Sequence, residues 1–255
     1  MQRIAFITPL GGTGQTTLVA NVCTALAQRG TATLGVDLCA QNGLALHLGL
    51  GQAPGAGWAH AALGHAWWAT AALENSLDVG FLPFGQVAGS DLLTLDRWLL
   101  SQPDWLQRQI SELDLPEPTC VVLDAPTWPA PAAQQALALA DLVVIALEVS
   151  ARACAAQEVV RHLVDALPAT ADYAIVLSRF DPRRDTQRQA LLELQRQWRS
   201  DLAPYVVHED ESVPIARQQS RCVCDLEPAS QAAHDLQGLA AWLTLRCGAA
   251  SGRPS

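Results

Sequence analysis

The sequence contains no lysine, since all 16 of its basic residues are arginine. Aspartate and glutamate together number 25, which gives a formal net charge of -9 at pH 7. Any motif that requires an ammonium group is therefore altered in this chain. An acidic chain also attracts polyanions weakly as a whole, so we do not expect nucleic acid to be a partner.

Long apolar runs are lacking as well. The alanine-rich stretches are interrupted by Gln, Asp, His or Arg, and none reaches the roughly 18 consecutive apolar residues typical of a transmembrane helix. Met1-Gln2-Arg3 leads directly into a short strand-like run, without the apolar stretch and cleavage site of a secretory signal. The sequence thus predicts a cytoplasmic protein without a transmembrane segment.

Charged residues make up only 16% of the 255 residues, whereas 50% are hydrophobic, so the chain can form a large core and is not mainly disordered. Its seven cysteines show neither the spacing of a disulfide framework nor that of a zinc site. Cys222 and Cys224 form the only cluster, and one residue between them is too few for a zinc knuckle or redox motif. We therefore predict buried thiols in a reducing compartment.

Apolar runs bounded by turn residues alternate with segments of helical periodicity along the chain. The runs predict strands at 3–8, 32–37, 78–83, 119–124, 141–148, 173–178 and 205–208. The periodic segments predict helices at 16–29, 92–110, 131–140, 154–166, 184–199 and 230–246. This alternation predicts one α/β domain over residues 1–247, a mostly parallel twisted sheet of about seven strands with helices on both faces. Residues 248–255 are predicted to be a flexible tail.

The most informative segment is TPLGGTGQTT, residues 8–17, between the first strand and the first helix. Its glycines allow a tight turn that directs successive N–H groups at a phosphate, and the helix that follows adds the positive end of its dipole. By position and shape it is a P-loop. The predicted nucleotide-binding residues in it are Gly11, Gly12, Thr13, Gly14, Gln15, Thr16 and Thr17.

The chemistry of this loop departs from the Walker A pattern G-x-x-x-x-G-K-[ST]. Pro9 replaces the first glycine and Gln15 replaces the lysine, so the loop keeps a hydrogen-bond donor but lacks the charge. Thr16 still occupies the position of the magnesium-binding hydroxyl. A glycine-rich strand-to-helix turn that binds nothing is the alternative interpretation.

Together with VD at 36–37 and VLDAP at 122–126, the loop resembles the ParA/MinD group of deviant-Walker P-loop ATPases. Leu10 stands where that group has its signature lysine. A closer resemblance covers nearly the whole chain: DLC at 37–39, GWAHA at 57–61, LPFGQ at 82–86 and HEDE at 208–211 are similar to the bacterial cellulose biosynthesis family BcsQ (YhjQ). The resemblance implies a P-loop NTPase-like sandwich whose cofactors are ATP and Mg²⁺.

The resemblance also implies roles for individual residues. The implied metal ligands are Thr16, Asp37 and Asp124. The implied base-contacting residues are Ser178, Arg179 and Pro214, where Ser178 replaces an adenine-recognising asparagine. Cys39 stands in the place of a water-orienting aspartate, and a neutral thiol cannot accept a proton from water as a carboxylate does. An ordinary turn aspartate is the alternative for Asp124. No residue is assigned a catalytic role.

Loss of both lysines and of that carboxylate predicts little or no hydrolysis, because phosphoryl transfer depends on positioning and charge stabilisation. An arginine supplied from elsewhere in the chain or across a dimer is the expected substitute, and the sequence does not locate it. The loop amides, the helix terminus and magnesium do not need lysine, so binding can survive.

Three functions of different classes remain open. The first, implied by the resemblance, is a nucleotide-binding scaffold with weak or no ATP hydrolysis that helps to assemble or localise the membrane cellulose synthase complex. The second is an active ATPase that cycles between dimer and monomer, and the third a partitioning protein that rides on DNA. The resemblance further implies a homodimer, a BcsR-like small subunit and other cellulose synthase subunits as partners, and peripheral association with the inner membrane or cell pole through them.

Three further features are ambiguous in the sequence. Trp67 and Trp68 are adjacent, so both cannot face the core if they lie on a helix, and one is expected to be exposed. Arginines concentrated at 183–199 predict a solvated helix face, or alternatively a contact with anionic lipid, an acidic partner or DNA. The last helix is amphipathic with Arg246 as the nearest base, and is predicted to dock on the core rather than to anchor in a membrane.

Overall fold

The computed structural model describes the backbone of residues 1–251 and the side chains of residues 1–247. The last helix continues to Ser251, so the predicted tail at 248–255 begins within helical backbone. Residues 252–255 lie outside the described residues.

The strands form one mixed sheet in the order β3-β4-β2-β5-β1-β6-β7-β8. They are β1 (Gln2–Ile7), β2 (Ala32–Asp37), β3 (Leu73–Glu74), β4 (Val79–Leu82), β5 (Thr119–Asp124), β6 (Leu142–Glu148), β7 (Asp172–Phe180) and β8 (Leu202–His208). All neighbours are parallel except β3 and β4. The seven predicted strands are confirmed; the eighth, β3, is an exposed two-residue edge strand, too short to leave an apolar run in the sequence.

Helices connect the strands and cover both faces of the sheet. They are α1 (Gln15–Gln28), α2 (Leu44–His47), α3 (Trp58–Leu63), α4 (Gly89–Ser101), α5 (Trp105–Ser111), α6 (Pro131–Leu139), α7 (Ala151–Ala155), α8 (Gln157–Asp165), α9 (Asp185–Trp198), α10 (Ser212–Gln218), α11 (Val223–Leu226) and α12 (Gln231–Ser251). Short 3-10 helices lie at Trp68–Ala71 and Arg199–Asp201. The α/β class and the doubly covered sheet are as predicted.

The helix predicted over 92–110 is in fact two helices, α4 and α5. Pro103 lies between them, and a residue that precedes proline is disfavoured in the helical conformation, as the φ of -130° and ψ of 65° at Gln102 show. The buried amide of Gln135 serves the main-chain groups that this break exposes. It accepts from the N–H of Leu106 at 2.9 Å and donates to the carbonyls of Leu99 and Gln102, both at 2.9 Å.

The predicted helix at 154–166 begins earlier than expected and is also interrupted. Ser150 caps its start, because the Ser150 hydroxyl oxygen accepts the N–H of Ala153 at 3.2 Å. The helix therefore begins at Ala151, directly after β6, and α8 continues from Gln157. This early start places Arg152 close to the carboxyl end of the sheet.

The core consists of two apolar layers, one on each face of the sheet. In β1 the side chains of Ile4 and Phe6 belong to one layer and those of Ala5 and Ile7 to the other, all fully buried. Alternate side chains of a strand point to opposite faces, so a central strand buried on both faces is apolar throughout.

The last helix packs in one of these layers, as predicted. Leu239, Ala240 and Leu243 of α12 are fully buried and belong to the same apolar layer as the buried face of α1. Among the described residues, no helix combines the length and the apolar character needed to span a membrane.

An aromatic cluster fills the space beside β2 and β4. Trp105 contacts the rings of Trp58, Trp68 and Trp98 with centroid distances between 5.2 and 5.7 Å. Trp68 is fully buried and Trp67 is 39% exposed, which confirms that the adjacent pair cannot face the same way. This tryptophan-rich segment therefore contributes mainly to the core.

The arginines near α9 are mostly paired with acidic neighbours. Arg184 lies 3.2 Å from a carboxylate oxygen of Asp181, Arg196 lies 3.8 Å from Glu193, and Arg188 contacts Asp185. These exposed pairs neutralise much of the positive charge, which supports the interpretation of a solvated face. Six of the seven cysteines are buried and Cys154 is half-buried, which confirms the predicted burial of the thiols.

Candidate nucleotide-binding site

The P-loop, residues 8–17, connects the end of β1 to the first turn of α1. Two of its glycines adopt the left-handed region, with φ values of 82° at Gly12 and 79° at Gly14. Residues with a Cβ rarely adopt this backbone, which explains why the sequence has glycine at both positions. Gly14 immediately precedes α1, so the loop ends at the positive end of the helix dipole.

The strand order places different residues on the two sides of this loop. On one side, β5 and β2 end with Asp124 and Asp37, which are paired in register. On the other side, β6 ends with Glu148, which is paired in register with Ser178 near the end of β7. The P-loop therefore lies between an acidic side, formed by Asp37 and Asp124, and a second side formed by the ends of β6 and β7.

Gln15, which occupies the lysine position, is turned toward the acidic side. Its Nε2 donates to the Oδ1 of Asp124 at 2.7 Å and to the carbonyl of Ala125 at 2.6 Å. The carbonyl of Ala125 can only accept a hydrogen bond, which fixes the orientation of the Gln15 amide group. In this conformation the Gln15 side chain is only 7% exposed, and its Nε2 is hydrogen-bonded to groups at the end of β5 rather than free to contact a ligand in the loop.

Asp37 and Asp124 are both fully buried, and Cys39 is 9% exposed. The ligand atoms of these three side chains lie within 4.8 Å of one another. Burial raises the pKa of Asp124 to about 6, although the Thr16 and Gln15 side chains act in the opposite direction. The pKa of Asp37 is also raised well above its ordinary value by burial and by the negative charge of Asp124. Two buried carboxylates so close together favour a shared proton or a bound cation.

The hydrogen bonds of these residues differ. Both carboxylate oxygens of Asp37 accept main-chain N–H groups, from Cys39 at 2.9 Å and from Leu44 at 3.0 Å. In contrast, the Oδ2 of Asp124 lacks a hydrogen-bond partner among the described residues, as do the Oε1 of Gln15 and the Oγ1 of Thr13. Unpartnered polar atoms are uncommon in buried positions, and three around one loop indicate a site that a ligand completes.

The second side of the P-loop contains two arginines and a serine. Arg152 donates from Nη2 to the carbonyl of Gly11 at 2.8 Å, and Arg179 from Nη1 to the carbonyl of Gly12 at 3.2 Å. The hydroxyl of Ser178 donates to the carbonyl of Thr13 at 2.7 Å. We call Arg152, Ser178 and Arg179 the arginine clasp, because they bind three consecutive carbonyls of the loop.

Two adjoining cavities follow the loop. One, of about 550 Å³, is lined by the predicted residues Gly11, Gly12, Thr13, Gly14, Gln15, Thr16 and Thr17 together with Cys39 and Ala125. The other, of about 340 Å³, is lined by Thr13, Gly14 and Thr17 and by the predicted base-contacting residues Ser178, Arg179 and Pro214. The structure thus brings all ten predicted nucleotide-binding residues to one continuous concave surface. Asp37 and Asp124 are buried behind it.

Ser178 occupies a different role from the one expected for a base-contacting residue. Its hydroxyl donor lies between the carbonyls of Thr13 and Leu147, at 2.7 and 3.2 Å. Only an oxygen lone pair remains for a ligand, whereas the asparagine that it replaces offers an acceptor and two donors.

Sequence reasoning missed two histidines and an arginine that line the smaller cavity. They are His47 on α2, His208 at the end of β8 and Arg217 on α10. Burial and the nearby Arg217 lower the pKa of His47 to about 4, so its ring is neutral at pH 7. The Nδ1 of His208 lies 2.7 Å from the Oδ2 of Asp235. These residues come from distant elements without ligand spacing, so no signal in the sequence marks them.

Taken together, the arrangement suits a nucleotide with a divalent cation. The glycine amides and the start of α1 can bind phosphates, while the smaller cavity beside them can hold a base. Thr16 and the unpartnered oxygen of Asp124 offer the oxygen ligands that Mg²⁺ prefers. Burial raises the pKa of Cys39 well above its ordinary value, so this thiol remains neutral and does not add negative charge.

Comparison with known proteins agrees with this geometry. The family model described as "Cellulose biosynthesis protein BcsQ" matches residues 1–244. BcsQ of Salmonella typhi is 27% identical over 244 residues, covering 92% of this chain and 91% of the relative. BcsQ of Escherichia coli K12 is 26% identical over 236 residues, covering 92% and 91%.

Solved structures show the fold independently. The septum site-determining protein MinD of Pyrococcus horikoshii, complexed with Mg-ADP, superposes with a TM-score of 0.77 at 21% identity, covering 99% of this chain and 100% of that one. Cobyrinic acid a,c-diamide synthase of Mycobacterium smegmatis, with a bound ATP analogue and magnesium, gives 0.76 at 23% identity, covering 99% and 98%. At these identities the likeness establishes the P-loop ATPase fold of the MinD class.

Proposed function

Since this chain belongs to the BcsQ family of cellulose biosynthesis proteins, we propose that it is a nucleotide-binding scaffold of the cellulose synthase assembly. It binds ATP with Mg²⁺ and hydrolyses it very slowly or not at all. Its role is to help assemble or localise the membrane-bound synthase, in contact with a BcsR-like small subunit and other synthase subunits. It reaches the inner membrane or the cell pole through these partners.

The observation that carries this proposal is the position of the Gln15 amide. The loop around it keeps the glycine conformations and cavities suited to phosphates, yet the side chain at the lysine position is hydrogen-bonded to Asp124 and Ala125. Binding needs the amides and the helix terminus, which are present. Rapid hydrolysis also needs positive charge on the transferring phosphoryl group, which Gln15 does not supply.

Mg²⁺ would supply positive charge beside the phosphates. Thr16 and Asp124 are the residues that would hold it. Asp37 would fix the backbone next to them, because its carboxylate accepts hydrogen bonds from the N–H groups of Cys39 and Leu44. Cys39, a neutral buried thiol, cannot take a proton from an attacking water as a carboxylate would. Slow turnover is therefore expected even when the nucleotide and the metal are bound.

Leu10 supports a role that does not depend on a contact across a dimer. Its half-buried side chain packs against the core of its own chain. An apolar side chain in this position cannot bind the phosphates of a second subunit. If the chain forms a homodimer, we propose that other contacts or the partner subunits hold it together.

The test is to measure binding and turnover separately on the purified chain. Isothermal titration with ATP and Mg²⁺ should show saturable binding, while phosphate release should stay far below that of a ParA-type enzyme. The variant Gln15→Lys should increase ATP affinity about tenfold or more, because it restores an ammonium group in the loop. Gln197→Lys, which adds the same charge on the exposed face of α9, is the matched control and should change neither value.

Two outcomes would contradict the proposal in different ways. Turnover by the wild-type chain comparable with that of a ParA-type enzyme would establish an active ATPase instead of a scaffold. Failure of ATP to bind at millimolar concentration would make the loop a structural turn without a ligand.

A further inference from the structure

Arg152 and Arg179 of the arginine clasp are candidates for the positive charge that the P-loop lacks. Arg152 and Arg179 are separated from the P-loop by more than a hundred residues, but each guanidinium lies within hydrogen-bond distance of a loop carbonyl. Both side chains are about half exposed, at 51% and 50%. Both therefore contact the loop from a partly exposed position, and Arg179 also lines the smaller cavity.

The three carbonyls bound by the clasp determine where the loop amides point. In a planar trans peptide the C=O of one residue and the N–H of the next point in opposite directions. Holding the carbonyls of Gly11, Gly12 and Thr13 toward the clasp therefore turns the N–H groups of Gly12, Thr13 and Gly14 away from it. Three successive N–H groups pointing to one side form an anion-binding concavity.

The clasp is itself held in place by acidic residues. The Nε of Arg152 donates to Glu148 at 3.0 Å, and the Nε of Arg179 donates to Glu209 at 3.2 Å. Each guanidinium thus uses one edge for a carboxylate and another N–H group for the loop. Because Arg has several donors in a rigid plane, it can do both at once, which a lysine ammonium does less well.

The backbone of Arg179 adds a second observation. Arg179 has a φ of 58°, in the left-handed region that residues other than glycine, asparagine and aspartate seldom adopt. The methylene carbons of its side chain lie near Gly14, where an added Cβ would be 3.9 Å from the Arg179 Cδ. Such backbone conformations persist where the surrounding structure fixes them, often at ligand sites.

We propose that the arginine clasp replaces the missing lysine within the same chain. It fixes the loop in its anion-binding conformation and adds two positive charges on the carbonyl side of the loop, behind the N–H groups that face the phosphates, so that a polyphosphate binds to a loop without lysine. Arg152 and Arg179 act as positioning residues through the loop carbonyls. This inference rests on the proposed nucleotide binding and specifies which residues make it feasible.

The experiment compares Arg152→Ala, Arg179→Ala and their double variant with the wild-type chain. Titrations use ATP, ADP, inorganic pyrophosphate and adenosine, each with Mg²⁺. Each single variant should weaken ATP and pyrophosphate binding about tenfold, in line with the loss of a charge-assisted hydrogen bond. Arg152→Ala should leave adenosine binding unchanged, because Arg152 does not line the base cavity. Arg196→Ala on α9 is the matched control and should behave as wild type.

Removal of an arginine also frees its carboxylate partner, which would repel phosphate. The double variant Arg152→Ala/Glu148→Ala removes both charges and should still bind ATP several-fold more weakly than Glu148→Ala alone. Arg179→Gln, which keeps donors without the charge, separates positioning from charge and provides a milder variant if Arg179→Ala unfolds. Hydrogen exchange of residues 11–14 in the ligand-free chain should be faster in the alanine variants, since the carbonyls are no longer held.

A final comparison uses Gln15→Lys. If the clasp substitutes for the lysine, restoring that lysine should reduce the loss caused by Arg152→Ala to about threefold or less. Wild-type-like ATP affinity and hydrogen exchange in both arginine variants would overturn the clasp while leaving the proposed function intact. A wild-type chain that binds none of the four probes would instead overturn the proposed function and the clasp with it.

Discussion

The two sides of the P-loop differ in the burial of their side chains and in how their polar and charged groups are paired. On the acidic side the side chains are buried, their charges repel one another, and Gln15 and Asp124 each keep an oxygen without a partner. On the side of the arginine clasp the charged groups are half exposed and each is paired with a carboxylate and a carbonyl. The first side therefore keeps unpartnered oxygens beside two buried carboxylates, whereas each charged group of the clasp has a partner.

This difference shows how a loop can lose its lysine without losing its shape. A lysine ammonium combines a hydrogen-bond donor and a charge in one group. In this chain the donor on the acidic side comes from the Gln15 amide, and the nearest positive charges come from the other side. Separating the two properties preserves the cradle and removes the charge from the position where hydrolysis needs it.

The largest expected effect concerns the acidic side, through Asp124→Asn. The pKa of Asp124 is raised from 3.8 to about 6 in the folded chain, so the folded state binds more protons than the unfolded state between these pH values. Stability is therefore lost as the pH rises from about 4 to about 6, by up to about 3 kcal/mol. Asp124→Asn should reduce this loss and stabilise the ligand-free chain at pH 7, because an amide needs no proton to be neutral, while Asp37, whose pKa is also raised by burial, still titrates.

Urea unfolding of both proteins at pH 4, 5, 6 and 7 measures this difference. The same substitution should abolish the Mg²⁺-dependent part of ATP binding, so stability and ligand affinity change in opposite directions. Asp185→Asn, an exposed carboxylate on α9, is the control. An equal pH dependence of the free energy of unfolding in wild type and Asp124→Asn would contradict the raised pKa of Asp124.

A smaller effect on stability and ATP affinity is expected from a substitution of Gly14, the residue that links the P-loop to α1. Gly14→Ala forces a Cβ into a backbone with φ of 79°, at a cost of about 1–2 kcal/mol. Space is not limiting, since the nearest atom to the added Cβ is 3.9 Å away. The midpoint of thermal unfolding should fall, and ATP affinity should fall by up to about tenfold if the loop relaxes to avoid the strain.

Gly89→Ala is the control for Gly14→Ala. Gly89 begins α4, and an added Cβ there has nothing within 4 Å. It should be neutral or slightly stabilising, because alanine favours helix more than glycine does. Similar losses in both variants would indicate a general intolerance of the chain rather than a constraint from the loop.

The smallest effect tests the clasp at its uncharged member. Ser178→Ala removes the hydrogen bond to the carbonyl of Thr13 and leaves both arginines in place. A neutral hydrogen bond contributes about 1 kcal/mol, so ATP affinity should fall about fivefold. Because no charge is removed, the dependence of binding on salt should stay as in wild type. A steeper fall than that of Arg179→Ala would place the main contribution in the serine rather than in the arginines.

The acidic side could be predicted from the sequence, whereas the clasp could be predicted only in part, because Ser178 and Arg179 were expected as base-contacting residues and Arg152 was not expected at the site. Asp37 and Asp124 lie in the segments 36–37 and 122–126, whose resemblance to the ParA/MinD group implied a metal site, and both end strands whose carboxyl ends lie at the same edge of the sheet. Arg152 and Arg179 stand 141 and 167 residues from the loop carbonyls that they bind, and nothing local indicates that either side chain binds the loop. Their partners depend on the order of strands, which periodicity does not determine.

The helix boundaries show a similar division. Pro103 was a sufficient reason to divide 92–110, since a proline disfavours the helical conformation in the residue before it. In contrast, the Gln135 side chain forms hydrogen bonds to main-chain groups at the break between α4 and α5. These bonds join residues about thirty positions apart and become visible only in the packed core.

The position of Trp58 has a practical consequence. Its indole N–H donates to the main-chain oxygen of Asp37 at 2.7 Å, and its ring contacts Phe84 and Trp105. The Trp58 ring is thus hydrogen-bonded to the backbone of Asp37, one of the two buried carboxylates of the acidic side. Tryptophan emission and near-ultraviolet circular dichroism of the unlabelled chain should therefore change when the acidic side changes, and Trp58→Phe should remove the part of that change contributed by Trp58, one of eight tryptophans.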